Sequence, residues 1–378
     1  MAADINRDIV TLRDRGLTFS TIGKMLGMSK DSVQKRYLKL DKNRKIGYDP
    51  RILSQEVPPK DVDSSNTRNT YTSYGRIPHV FEPVVPVKVD YIARVGKPTD
   101  AKRGELVVAA GDFQFPFEDG DVFSAFLTFL ATERPERIVL TGDILDLTSV
   151  SAYDKDPRLG LPVQQELARA HLRLSEIRSA AGKDASIFFV YGNHEARFSK
   201  WLSRKAPELV GLVDASGVEL LSLANLLRLD TLNIQSCLSE NVVFNGPEHL
   251  RSYYKVTEDL IATHGTYSRN SGGAASILPI AEAAGVSVVG GHDHSQGMAF
   301  RTVGGFAELP ERKIVAISTG MMCQRTELGY LAQHQVSRWS AGFSVVELWG
   351  KKAGEWQADF ASWTGSALAW RGRRYEPK

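Results

Sequence analysis

Five short apolar runs recur along the chain, and each stops at polar residues able to hold a metal or move a proton. LVVAAGDFQ ends on Asp112 and Gln114, IVLTGDILD on Asp143 and Asp146, and IFFVYGNHE on Asn193, His194 and Glu195. LIATHG ends on His264, and VSVVGGHDH on His292 and His294. Runs this short and this rich in Val and Ile predict strands buried on both faces. DVFSAFLTFLATE and QQELARAHLRLSEIRSAAG carry apolar residues at helical spacing, the second closed by Gly182. Strands alternating with such helices predict a layered α/β domain. KWLSRKAPELVGL and VELLSLANLLRL also read as helices, inside an insertion from Phe198 to Tyr254 that would wall a substrate cleft. KIVAISTG and GFSVVELW predict further strands, placed in a second sheet.

Ahead of this domain the pattern changes. NRDIVTLRDRG, TFSTIGKMLG and MSKDSVQKRYLKL predict three short helices, with Gly16 and Gly27 as stops and Ser20 and Ser29 as N-caps. Ile22, Leu26, Met28 and Val33 would form their small core. Residues 46–100 hold Pro50, Pro58, Pro59, Pro78, Pro83, Pro86 and Pro98 without periodic apolar positions, which predicts a linker. Its later part, HVFEPVVPVKVDYIA, is apolar enough to pack across the next domain. The expected organisation is a helical domain at 1–45, a Pro-rich linker at 46–100, an α/β domain at 101–350 and a basic tail at 351–378. The tail ends in WRGRRYEPK and reads as a solvated terminus, or as a segment touching nucleic acid by stacking and charge.

A chain of 378 residues with 42% hydrophobic content can bury a sizeable core over two domains. Its net charge of +3 does not by itself imply a nucleic-acid partner. The charge is uneven, however. Residues 1–45 hold eleven Lys and Arg against five Asp and Glu, a net of +6, so the remainder is about −3. Cys237 and Cys323 are too few for a disulfide framework and fit a reducing cytosol. No signal-peptide core opens the chain, and no run has the apolar length to cross a bilayer.

Ligands of open α/β sheets bind beyond the carboxyl ends of the strands, where the five polar clusters would gather. Carboxylates, amide oxygens and imidazoles together suit Mn, Fe, Zn or Mg rather than a thiolate site. Two such ions about 3.5–4 Å apart can share a carboxylate and clamp a phosphate, a bridging hydroxide then being the nucleophile.

The series DFQ, GDILD, GNHE, HG and GHDH resembles the calcineurin-like metallophosphoesterases, whose pattern is D-x-H, GD-x-x-D, GNH-E/D, H-G or G-H, then GH-x-H. The resemblance runs from about Glu105 to Leu348 and implies a four-layer αββα sandwich. It implies two divalent ions, Mn foremost, bridged by Asp143. Asp112, Gln114 and His294 would hold the first, and Asn193, His264 and His292 the second. His194 would instead donate a proton to the leaving-group oxygen, with Asp146 beside it favouring the charged, donating ring. Gln114 stands where the family has His, so the first site is expected to bind more weakly. Glu195 is assigned to orienting its loop. Arg197 and Arg269 read either as grips on a phosphate oxygen or as surface ion pairs.

The N-terminal segment resembles a helix-turn-helix, with Gly23 at the tight helix contact and Gly27 in the turn. Its second helix would present Lys30, Asp31, Ser32, Gln34, Lys35 and Arg36 to a major groove. A three-helix protein–protein module is the other reading. Together the two parts point to a phosphodiesterase acting on DNA, similar to phosphoesterases common in bacteriophage genomes and more distantly to SbcD-type nucleases. The expected setting is bacterial or phage-infected host cytosol, with no membrane partner and the oligomeric state open, a dimer included. Two alternatives stand beside it. One is a phosphomonoesterase for phosphoprotein or nucleotide, although Ser/Thr phosphatases carry Arg-Gly where this chain has Leu147-Thr148. The other is a non-enzymatic DNA-binding regulator, supported by Gln114 alone.

Overall fold

Period-two alternation decides the layers. β1 (Glu105–Ala110), β2 (Arg137–Thr141) and β3 (Ser186–Val190) send Leu106, Val108, Ile138, Leu140 and Phe189 to one face and Val107, Ala109, Val139 and Val190 to the other. The structure, a computed structural model, describes residues 9, 19–44, 84–94, 103–152, 161–238, 252–265, 273–305, 311–324, 339–350 and 352–378. These fall into two units, Met1–Asn69 and Thr70–Lys378.

In the larger unit the first face packs under α3 (Gly120–Glu133) and α4 (Val163–Ala181), against Phe126, Phe129, Leu174 and Ile177. Asp119 caps α3 by accepting from Asp121 N and Val122 N, and Gly182 closes α4 at φ 85. The second face meets a second sheet. That sheet contains β5 (Tyr253–Lys255), β6 (Leu260–Thr263), β7 (Ser287–Gly290), β8 (Gln296–Val303) and β9 (Arg312–Thr319), in the order β5-β6-β7-β9-β8. Leu260, Ala262, Val289 and Ile317 fill the space between the sheets. Val288, Ile314 and Ala316 face outward under Ile277 and Ala281 of α7 (Ala274–Ala284). Helix, sheet, sheet and helix thus make the expected four layers.

The larger sheet has eight strands. It adds β4 (Ile234–Ser236), β10 (Gly342–Leu348), β11 (Trp356–Trp363), β12 (Leu368–Trp370) and β13 (Arg373–Tyr375), in the order β13-β12-β11-β10-β1-β2-β3-β4. Two expectations are corrected here. GFSVVELW becomes β10, but it pairs antiparallel with β1, Val107 opposite Val346, and so belongs to the first sheet. Residues 352–378 are not a solvated tail; they supply β11, β12 and β13. Trp370 and Tyr375 are only 2% exposed, and Tyr375 donates to Glu133 Oε1 at 2.8 Å. The basic charge of this segment is paired internally, Arg371 with Glu347 at 2.5 Å and Arg373 with Glu133 at 3.0 Å.

The insertion is less helical than its leucines suggest. α5 (Glu195–Lys205) stops at Ala206, which leaves the helical region that the following Pro207 disfavours and sits at φ −151 and ψ 62. VELLSLANLLRL yields only α6 (Leu223–Leu226), capped by Ser222, and a 3-10 turn at Leu229–Leu232. Its leucines are spaced to anchor an irregular segment, with Leu223, Leu227, Leu229 and Leu232 in the main core. Of the later linker, residues 84–94 are described and touch the domain at a few points, while Val85, Val87, Tyr91 and Ile92 stay exposed. Val84 and Val89 rest on that core, and Val87 N donates to His171 Nε2 at 3.2 Å.

In the smaller unit, α1 (Phe19–Leu26) and α2 (Lys30–Arg44) are joined by a turn with Gly27 at φ 65. Ile9, Ile22 and Val33 are buried, and Leu26, Met28, Phe19 and Tyr37 pack on them. A Cβ on Gly23 would lie 2.5 Å from Met28 O, so only glycine permits this contact. Ser29 accepts from Ser32 N at 3.2 Å, as an N-cap does. Ser20 lies within α1 and is not its cap. Lys30, Asp31, Lys35 and Arg36 are exposed, whereas Ser32 and Gln34 are half-buried. Apart from Ile9, the helix expected at NRDIVTLRDRG lies outside the described residues, as do linker residues 46–83 and 95–100. Among the described residues no helix is long and apolar enough to cross a membrane.

Candidate metal centre

β1, β2 and β3 run parallel in one sheet, and β6 and β7 run parallel in the other. Their carboxyl ends meet, and the polar cluster after each strand faces the same space. Five of the seven residues expected as ligands have left-handed backbones: Asp112 at φ 53, Gln114 at 50, Asp143 at 49, His292 at 83 and His294 at 60. Each such residue costs about 1–2 kcal/mol and persists only where its surroundings dictate it. Here the surroundings are tight. A Cβ on Gly192 would lie 2.1 Å from Asp143 Oδ1, and one on Gly291 would lie 2.1 Å from Asp112 Oδ2.

Glu195 does most of the holding. It is fully buried and accepts from four backbone N–H groups: Asp143 at 2.9 Å, Ile144 at 2.8 Å, Leu145 at 3.0 Å and Gly192 at 2.7 Å. Burial and the nearby Asp143 push its pKa up, and the backbone donors pull it back. Four donors facing two oxygens call for the ionised form.

Two groups of donor atoms stand side by side. In the first, His264 Nε2 lies 3.1 Å from Asp143 Oδ2, 3.1 Å from Asn193 Oδ1 and 3.3 Å from His292 Nδ1. The donor atoms of Asp143, His264 and His292 all lie within 4.8 Å of one another. His264 Nδ1 reaches Thr141 O at 2.9 Å, which fixes the ring so that Nε2 faces the cluster. In the second group, His294 Nε2 lies 3.1 Å from Asp112 Oδ1 and 3.3 Å from Gln114 Nε2. Gln114 Oε1 is buried without a partner among the described residues, so an amide flip would aim a free carbonyl oxygen at this group.

The electrostatics fit a cation. Burial pushes Asp143 up, but the charges of His194 and His264 hold it well below the usual carboxylate range. Burial pushes His264 down, yet Asp143 and Asp112 raise it to about 10. Burial and the charged His264 lower His292 to about 4. The buried carboxylates thus demand positive charge, which a proton on His264 supplies here and a divalent ion would supply instead. Carboxylate, imidazole and amide oxygen are the donor types such ions accept.

His194 opens α5 beside this cluster. Its Nδ1 lies 3.2 Å from Asp146 Oδ1, within ion-pair reach but out of line for a hydrogen bond. Its Nε2 accepts from Arg197 Nη2 at 2.8 Å and lies 3.6 Å from Asp143 Oδ2. Arg197 Nη1 also donates to Asp146 O at 2.6 Å. Arg197 is therefore part of the site and makes no surface ion pair, while Arg269 lies outside the described residues. Glu195 takes the loop-orienting place expected of it.

Sequence patterns missed three neighbours. Glu166, in the first turn of α4, accepts from Leu147 N at 2.6 Å; burial and Asp146 raise its pKa to about 8. In sequence it reads only as an acid at a helix start. Asp293 accepts from Ser318 Oγ at 2.8 Å and ties the GHDH loop to β9. The Trp339 ring stands edge-on to His294, with centroids 4.2 Å apart. It follows no motif, so no sequence signal marked it.

Residues 105–296 match the calcineurin-like phosphoesterase family. The chain belongs to that family and is a metal-dependent phosphoester hydrolase. It is similar to the Gene 54 protein of Mycobacterium phage D29, 26% identical over 254 residues, covering 65% of this chain and 89% of that one. The Gene 54 protein of Mycobacterium phage L5 is 24% identical over 255 residues, with the same coverage of 65% and 89%. Similar solved structures include Vacuolar Protein Sorting 29 from Cryptosporidium parvum, with 14% identity, 69% of this chain and 99% of that chain covered, and a TM-score of 0.31. A Vps29 single mutant from Entamoeba histolytica gives 13% identity, 68% and 99% coverage, and a TM-score of 0.30.

Proposed function

We propose that the protein is a phosphodiesterase that cuts DNA. The observation that carries this reading is a hydrolase centre sharing its chain with a helix-turn-helix-like unit. That unit exposes Lys30, Lys35 and Arg36 on one helix. Such a unit concentrates the hydrolase on its substrate. The donor types suit two divalent cations, Mn first, and Asp143 would be the carboxylate common to both. Asp112, Gln114 and His294 would complete one site and Asn193, His264 and His292 the other, the Gln114 site being the weaker. When bound, the cations supply the nucleophile and neutralise charge on the phosphate.

This chain's own residues do the rest. His194 donates a proton to the leaving oxygen from Nε2. Asp146, beside Nδ1, orients the ring and balances its charge. In the present arrangement Nε2 is engaged by Arg197, so substrate must draw the guanidinium away first. A phosphate oxygen suits that planar fork. Arg197 thus grips the phosphate and bares Nε2, which takes up a proton from solvent, its charge balanced by Asp146, before giving it to the leaving oxygen.

The test is a truncation beginning at Thr70, which removes the smaller unit and keeps residues 84–94 on the core. It should hydrolyse bis(4-nitrophenyl) phosphate faster than 4-nitrophenyl phosphate, at the full-length rate. It should also bind duplex DNA more weakly, with a smaller slope against salt, and full-length protein with Lys35→Ala and Arg36→Ala should show part of that loss. A preference for the monoester would favour the phosphatase reading. Unchanged DNA binding would make the smaller unit an adaptor for something else.

A further inference from the structure

We propose that the outer face of α5 is a track for a single DNA strand leading away from the reacting phosphate. The inference rests on the DNA-diesterase reading and adds to it the surface that holds the substrate. α5 is an amphipathic helix of eleven residues. Glu195, Ala196, Phe198 and Leu202 are buried, and Lys200, Trp201, Arg204 and Lys205 are exposed. At 3.6 residues per turn, Arg197, Lys200, Trp201, Arg204 and Lys205 follow one another down a single stripe. The stripe begins in the catalytic cluster, because Arg197 touches His194 at 2.8 Å.

Its chemistry matches a polynucleotide backbone with bases beside it. Among the described residues no carboxylate pairs with Lys200, Arg204 or Lys205, so their charge is available. Trp201 lies nearly parallel to Phe198, at 24° with centroids 6.4 Å apart. Phe198 is buried and holds one side of the indole, while Trp201 as a whole remains 37% exposed. A supported, exposed indole between cations is the form of site on which a base stacks while its phosphates are neutralised. The helix dipole accounts for cations in the last turn, Arg204 and Lys205, but not for Lys200 or Trp201. At about 1.5 Å per residue, Arg197 to Arg204 spans about 10 Å, or about three nucleotides at a stacked rise of about 3.4 Å.

The adjoining turn and hairpin expose Leu209, Val210, Leu212 and Val213, so a protein occupant is the competing use of this region. The test uses full-length protein with EDTA, so that nothing is cleaved, and a fluorescent 12-nucleotide oligo-dT read by anisotropy. Trp201→Ala should weaken binding about 5- to 150-fold, the range for loss of one stacked base. Lys200→Ala/Arg204→Ala/Lys205→Ala should lower the slope of log affinity against log salt by about 2, at about 0.7 per phosphate contact. Both losses should persist with Lys35→Ala and Arg36→Ala already in place, and melting temperatures should stay at the wild-type value. Wild-type oligo-dT affinity in these variants overturns the track, as does a change in oligomeric mass without a change in DNA affinity. The parent reading is scored separately, by whether the wild-type protein turns over bis(4-nitrophenyl) phosphate with Mn.

Discussion

Replacing Glu195 with Gln should destabilise the protein and strip metal from it, although the side chain keeps its shape. Oε1 accepts from Ile144 N and Leu145 N, and Oε2 from Asp143 N and Gly192 N. In the amide, one oxygen becomes an NH2 facing two N–H donors. Whichever way the amide is turned, two buried donors lose their acceptor. Each unsatisfied donor costs about 1–3 kcal/mol, so the loss is about 2–6 kcal/mol. Relief of charge repulsion with Asp143 opposes this and favours the lower half of the range. Against a total stability of about 5–15 kcal/mol that remains a large fraction. The damage should also be local, because either orientation strips the acceptor from the loop 143–145 that carries Asp143, at Asp143 N or at Ile144 N and Leu145 N, and Asp143 itself sits at φ 49. Urea unfolding with EDTA measures the stability, and Mn titration of the folded variant measures the site. A variant within about 1 kcal/mol of wild type that still binds Mn as tightly would refute the claim that this carboxylate holds the strand-end loops.

Three further outcomes are expected. His194→Ala should lower turnover by about 100- to 10,000-fold at unchanged metal content, and loss of metal would show that the imidazole is itself a ligand. Gln114→His should tighten the weaker of two Mn affinities, and two equal affinities in the natural protein would contradict the weaker-site assignment. Glu166→Gln should become progressively more stable relative to wild type as pH rises from about 4.5 to about 8. The folded pKa of Glu166 is raised, so its contribution is fully present below the unfolded value and is lost as pH rises through the folded one. A pH-independent difference between the two proteins would mean that Glu166 is ionised in the fold.

The strands of the centre could be read directly from the chain. LVVAAGDFQ and its four counterparts are local patterns, and burial of both faces leaves no polar position until the strand ends. The donors Asp112, Asp143, Asn193, His264, His292 and His294 follow from that, since each sits at or just past a strand end. The two-helix form of residues 19–44 was legible for the same reason, Gly23, Gly27 and Ser29 being local punctuation. What hydrophobic spacing could not distinguish was an α-helix from an irregular segment tied down by leucines, and so Val218–Leu229 was read as more helical than it is.

Sheet membership and charge pairing were decided only in three dimensions. β10 has the same two-faced apolar pattern whichever sheet it joins, and its place beside β1 depends on pairing residues more than two hundred positions apart. Arg371 and Arg373 read as a basic tail until the fold sets them against Glu347 and Glu133. Glu166, Trp339 and the four N–H groups around Glu195 likewise have no sequence signature. The sequence by itself determined which segments become strands and which polar residues lie at their ends, because those depend on neighbours a few positions away. The tertiary structure alone decided which of those ends meet, which backbones are forced left-handed and which charges cancel, because each depends on atoms brought together by packing.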